Sequence, residues 1–138
     1  MPFRGIRMIR LVLITLLVLS SGPAYAEWVK VGSSESEGGI TVYADPDTIR
    51  RKVDRVTMWE LYDYKTVQIE AGMSISSFKK QSEYNCTEER TRMLSAMDFS
   101  GNMGKGNVVS SDSTEDKWEP VEPGSVTRGL WKIACSKK

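Results

Sequence analysis

Apolar residues recur mostly at every second position through the middle of the chain, and only near the C-terminus does the spacing lengthen to three or four. The first spacing is that of strands with one covered face, the second that of a helix. "WVKVGSSESEGGITVYAD", residues 28–45, reads as two short strands around a polar stretch, a hairpin pattern. In its second strand Ile40, Val42 and Ala44 share one face, and Thr41 and Tyr43 the other. Asp45-Pro46-Asp47 breaks the ladder, because proline lacks a donor and the flanking carboxylates favour turns.

The charged connection "TIRRKVDR" leads into "VTMWELYDYK", residues 56–65, whose aromatic and β-branched density predicts a central strand. After a polar break at Glu70-Ala71-Gly72, "SISSFKKQSEYNC" places Phe78, Tyr84 and Cys86 on one side of an extended segment. "EERTRMLSAMDF", residues 88–99, mixes helix-forming residues with no clean amphipathic stripe, so periodicity leaves helix and strand open. Its place two residues after a strand favours a strand, with Met93, Met97 and Phe99 facing inward. Val108 and Val109 suit an edge strand, and "DSTEDKWEPVEPG" a polar loop.

The closing segment predicts a helix: Ser125 follows Pro123-Gly124 as an N-cap, and Val126, Gly129-Leu130 and Ile133-Ala134 fall at helical spacing. Its apolar stripe requires a partner surface, which a sheet with one apolar face supplies. The expected fold is therefore α+β, a single antiparallel sheet of about six strands with a C-terminal helix packed on it and one disulfide.

Met1 to Ala26 stands apart. Arg4, Arg7 and Arg10 precede an apolar run from Leu11 to Leu19, and "SSGPAYA" ends in small residues at A-x-A positions, which reads as a cleaved signal peptide ending at Ala26. Nine apolar residues fall short of the roughly 20 that span a bilayer, so no transmembrane segment is expected after cleavage. The remaining 112 of 138 residues, 27–138, suffice for one domain. Removing the three signal arginines from 19 basic residues leaves 16 against 18 acidic, a net charge of −2 that disfavours nucleic acid as a partner.

The only cysteines, Cys86 and Cys135, lie in a chain marked for an oxidising compartment, and their pairing is the simplest reading. The chain holds no histidine, which removes the usual base of serine and cysteine nucleophiles and the usual zinc ligand. No catalytic residue, metal or cofactor is assigned. Asp45 and Asp47 flank a proline turn for backbone reasons; "DSTED" lacks the alternation of a calcium loop, and "GNMGKGN" lacks P-loop spacing. One basic cluster, Arg50, Arg51, Lys52 and Arg55, is the candidate partner contact, its alternative being a solvated connection. Trp28, Trp59, Trp118 and Trp131 are expected chiefly as core and helix-packing anchors.

The succession "EWVKVG", "VYADPDTIRR", "VTMWELYDYK", "SSFKKQSEYNC", "MGKGNVV", "WEPVEPGS" and "LWKIAC" resembles the surface-adhesin protein E family over residues 27–135. "SEYNC" with "PGSVTRGLWKIAC" is its most specific part. The resemblance implies a sheet of about six strands with a disulfide-held C-terminal helix and no enzyme activity. It further implies outer-membrane lipoproteins that bind host extracellular-matrix and serum proteins, such as vitronectin and laminin, and that can form homodimers. No family binding residue is carried over. The chain departs from that pattern in having no lipid-anchor cysteine after "AYA", where Glu27 stands. The expected product is therefore exported to the periplasm or the cell surface, with an envelope-maintenance or small-ligand role as the alternative.

Overall fold

A computed structural model describes residues 27–136; the signal segment and its cleavage after Ala26 lie outside the described residues. Six strands pair antiparallel in sequence order: β1 (Val29–Ser34), β2 (Ile40–Lys52), β3 (Arg55–Glu70), β4 (Met73–Asn85), β5 (Arg90–Phe99) and β6 (Val108–Asp112). A seventh, β7 (Glu119–Pro120), pairs with β5 beyond the end of β6. The chain closes with helix α1 (Val126–Ser136). The meander and the C-terminal helix are as the alternation and the change of period predict, and residues 90–99 are strand.

Tight turns join the long strands. Ala71 and Gly72, at φ +50° and +77°, connect β3 to β4, the double left-handed geometry of the commonest hairpin turn. The basic "TIRRKVDR" stretch is likewise a hairpin: β2 runs to Lys52, the turn is Val53-Asp54, and Lys52 opposes Arg55.

One face of the sheet is covered by α1. Val42 and Ala44 of β2, Val56 and Met58 of β3 and Tyr84 of β4 lie under Leu130 and Ala134, with Ile49 completing the cluster. Ser125 caps the helix as its position predicts, its Oγ accepting the Arg128 N–H at 3.1 Å. Gly129 lets α1 approach β1 closely, since a Cβ there would stand 2.9 Å from a Val31 methyl. Cys86 and Cys135 form the predicted disulfide and fasten the far end of α1 to the end of β4.

Two irregularities alter what the alternation implies. Asp45-Pro46-Asp47 interrupts the ladder without ending the strand: the β2–β3 pairing breaks after Asp45↔Trp59 and resumes at Arg50↔Thr57. Thr48 fills the gap, its Oγ1 donating to the Asp45 carbonyl (2.7 Å) and accepting the Trp59 N–H (2.9 Å). In β5 a register shift sets Met93 opposite Ser82, on the helix side, and Met97 opposite Lys79, on the other. Met93, Met97 and Phe99 therefore do not face inward together, because the extra residue at the bulge inverts the alternation.

Candidate functional site

Alternation across the β2–β3 hairpin divides the basic cluster. Arg51 opposes Val56 and reaches the helix side, where its Nη2 donates to the Cys135 carbonyl at 3.0 Å. Arg50, Lys52 and Arg55 belong to the helix-free side. Among the described residues none of these three has a carboxylate within 4.0 Å. Arg50 turns back on its own strand, to the carbonyls of Asp47 (3.1 Å) and Ile49 (2.9 Å). At the hairpin's apex Val53 is 86 % exposed and adopts φ +60°, a conformation costly for a β-branched residue.

The tryptophans depart from expectation. Trp131, on α1, is the one that packs against the core, its indole donating to the Asn85 carbonyl at 3.4 Å. Trp28, Trp59 and Trp118 lie half-buried on the helix-free face. Two guanidinium groups stand over Trp118, those of Arg55 at 5.4 Å and Arg92 at 4.5 Å from the ring centre. Arg92 is held by Glu83 at 2.7 Å and so also orders this corner. The signal was present in β3, where the core positions Val56 and Met58 put Trp59 on the opposite face by alternation.

Near the middle of that face the β2 irregularity opens a shallow slot of about 250 Å³, lined by Trp28, Asp45, Thr48, Trp59, Lys79 and Met97. Asp45 is buried and anchors its own turn, its Oδ1 accepting the Asp47 N–H at 3.2 Å. The Lys79 ammonium lies 5.8 Å from the Trp28 ring centre and 5.3 Å from that of Phe99. The slot, the guanidinium-flanked Trp118 and the basic hairpin form one cationic and aromatic surface.

Beneath α1 lies a buried carboxylate whose position follows from the strand alternation and whose chemistry depends on its neighbours in adjacent strands. Glu60, between Met58 and Tyr62 on the core face, is fully buried. Its carboxylate accepts hydrogen bonds from Tyr62 (3.0 Å), Ser82 (3.0 Å) and Tyr84, with the Lys80 ammonium at 3.9 Å. Burial raises its pKa, against the opposing pull of Lys80 and the three hydroxyls. The Tyr62 and Tyr84 phenols are pushed well above their ordinary value, by burial first and then by the charge of Glu60, and so stay protonated donors. This network is closed on itself and holds β3 and β4 in register under the helix.

The glycine-rich turn after β5 is also occupied from within. Asp63 accepts the Met103 N–H at 2.8 Å and the Asn102 side-chain amide at 3.0 Å, so the loop's donors face the chain's own carboxylate. Asp112 of the acidic stretch accepts the Thr114 N–H at 2.9 Å, a bond that lowers its pKa. Among the described residues no group of three histidine, cysteine or carboxylate side chains is placed to hold a metal, and no helix is long and apolar enough to cross a membrane.

The architecture is that of solved Haemophilus influenzae protein E. Crystal form II of that protein superposes with a TM-score of 0.63 at 11 % identity, over 83 % of this chain and 91 % of that one. The structure from the non-typeable organism gives 0.56 at 11 % identity, over 83 % and 79 %. At this identity the likeness concerns the fold. No curated protein sequence matches the chain. The surface-adhesin protein E family model matches residues 28–136, essentially every position the structure describes, and the chain belongs to the surface-adhesin protein E family.

Proposed function

We propose that the protein is a non-enzymatic binding protein of the bacterial envelope, exported by residues 1–26, that presents its helix-free face to an acidic segment of a protein partner. Membership of a surface-adhesin family supports a host protein as that partner, and an extracellular-matrix or serum protein is the class we propose. The observation that carries the reading is the grouping of Arg50, Lys52 and Arg55, none paired with a carboxylate among the described residues, beside three half-buried tryptophans on the sheet face that α1 does not cover. Aromatic residues and arginines are the side chains that dominate protein–protein contacts, and unpaired cations speed encounter with an acidic surface. The tryptophan slot is open and shallow, which suits a protein surface better than an enclosed small molecule.

The test is binding of the purified protein to immobilised vitronectin and laminin, compared with Arg50→Glu/Arg55→Glu. A loss of at least about tenfold that shrinks as salt is added supports the reading. Unchanged affinity removes the hairpin from the contact, and no binding to either protein by the native chain removes the matrix partners.

A further inference from the structure

The slot on the helix-free face has a composition of its own. Its walls are the two indoles of Trp28 and Trp59 and the thioether of Met97, which are apolar and suit a planar group. Its volume of about 250 Å³ is below the roughly 300–1,000 Å³ of sites for drug-sized ligands, so it admits one group of side-chain size. Its polar members are mostly committed. Thr48 bridges two backbone groups, and Asp45 holds its own turn.

Lys79 differs from them. The residue is half-buried, and its ammonium lies near two aromatic rings and, among the described residues, has no carboxylate within 4.0 Å. Its position is fixed by the fold. Lys79 opposes Leu61 on one side and Met97 on the other, and its stem lies so close to Gly104 that a Cβ there would stand 2.5 Å from its Cε. A half-buried cation in an aromatic surround is best paired by an anion with an apolar body, because the body excludes water and so strengthens the ion-pair attraction that offsets desolvation.

We infer that this slot binds an aromatic group bearing a carboxylate, the ring against Trp28 and Trp59 and the carboxylate on Lys79. The inference rests on the reading of the helix-free face as the binding face, and it names the anchor that the partner supplies. An aromatic residue beside an acidic one in a protein segment and a free aryl carboxylate share this chemistry.

The experiment follows the indole N–H resonances of Trp28 and Trp59 in the folded protein while 3-phenylpropionate, its uncharged amide, the capped peptide acetyl-Glu-Phe-Glu-amide and methyl glucoside are titrated separately. The expected result is that phenylpropionate shifts both indoles and that the amide binds at least about tenfold more weakly. Lys79→Met, which keeps the stem, should bring the acid down to the amide's affinity. Tighter binding of the peptide than of phenylpropionate assigns the anchor to a partner chain; the reverse order assigns it to a free aryl acid. Equal binding of acid and amide, no shift with either, or a shift with methyl glucoside alone overturns the inference.

Arg50→Glu/Arg55→Glu is the variant that tests the proposed function, since neither residue lines the slot. If that variant loses matrix-protein binding while phenylpropionate never binds the native chain, the inference fails and the proposed function stands. If phenylpropionate binds while matrix-protein affinity ignores the charge reversal, the reverse holds.

Discussion

Arg51 donates from Nη2 to the carbonyl of Cys135 at 3.0 Å, so a cation from the β2–β3 hairpin satisfies the last turn of α1 beside the disulfide. A positive group at a helix C-terminus complements both the free carbonyls and the helix dipole. Substituting Arg51→Ala should cost about 1 kcal/mol of stability, measured by denaturant unfolding, and leave partner binding intact. Arg50→Ala should do the opposite, and equal effects from the two would deny the division of the cluster.

The disulfide closes 49 residues of chain. The chain-entropy model assigns about 4 kcal/mol to a loop of that length, and a domain of this size loses several degrees of melting temperature per kcal/mol. Cys86→Ser/Cys135→Ser should therefore melt at least about 10 °C lower, with amide exchange rising in α1 before the central strands. An unchanged melting curve would refute the staple.

Glu60 should leave a signature in the pH dependence of stability. Burial raises its folded-state pKa above the unfolded value of 4.5, so the folded protein holds the proton to higher pH than the unfolded chain. The contribution is full below the unfolded value and is lost as pH rises through the raised folded value. Unfolding free energies measured from acid to neutral pH should carry this falling component, and Glu60→Gln should flatten it. Glu60→Leu should cost about 3 kcal/mol at acid pH, because three buried hydroxyls lose their acceptor, and the cost should shrink toward neutral pH as the native contribution falls.

Asp63 pins the loop after β5 through Asn102 and Met103. Asp63→Ala should free that loop, read as faster amide exchange at Met103, at a cost of about 1–2 kcal/mol. Exchange at Met103 matching the native protein would show that the loop is held by other contacts.

Val53 holds a left-handed backbone at an exposed apex where glycine pays no steric penalty. Val53→Gly should stabilise the hairpin by about 1 kcal/mol in thermal unfolding. A loss of partner affinity in the same variant would mean that the exposed valine contacts the partner; a drop in melting temperature would mean that the apex is relaxed.

The proposed export requires a mature chain beginning at Glu27, which intact-mass measurement of the cell-derived protein checks. Protease applied to intact cells then separates two compartments: digestion places the domain on the surface, and protection until the outer membrane is opened places it in the periplasm.

Residue order alone determined a good deal. Two-residue alternation identified the strands and set Val42 with Ala44 on one face; the longer period and Ser125 marked α1; and the presence of two cysteines left one simple pairing. These are local properties, set by backbone geometry within a few residues. Where each face points depends on what covers it and on whether the alternation is continuous. The Thr48 bridge and the bulge beside Met93 shift register through contacts with neighbouring strands, so Met93 and Met97 part company although their spacing matches. The split of Arg51 from Arg50 and Arg55, the three half-buried tryptophans and the slot around Lys79 all follow from α1 covering one face of the sheet while the loop after β5 covers only part of the other. Only the tertiary structure decided these, because a strand specifies which residues share a side and the packing of distant elements specifies which side is buried.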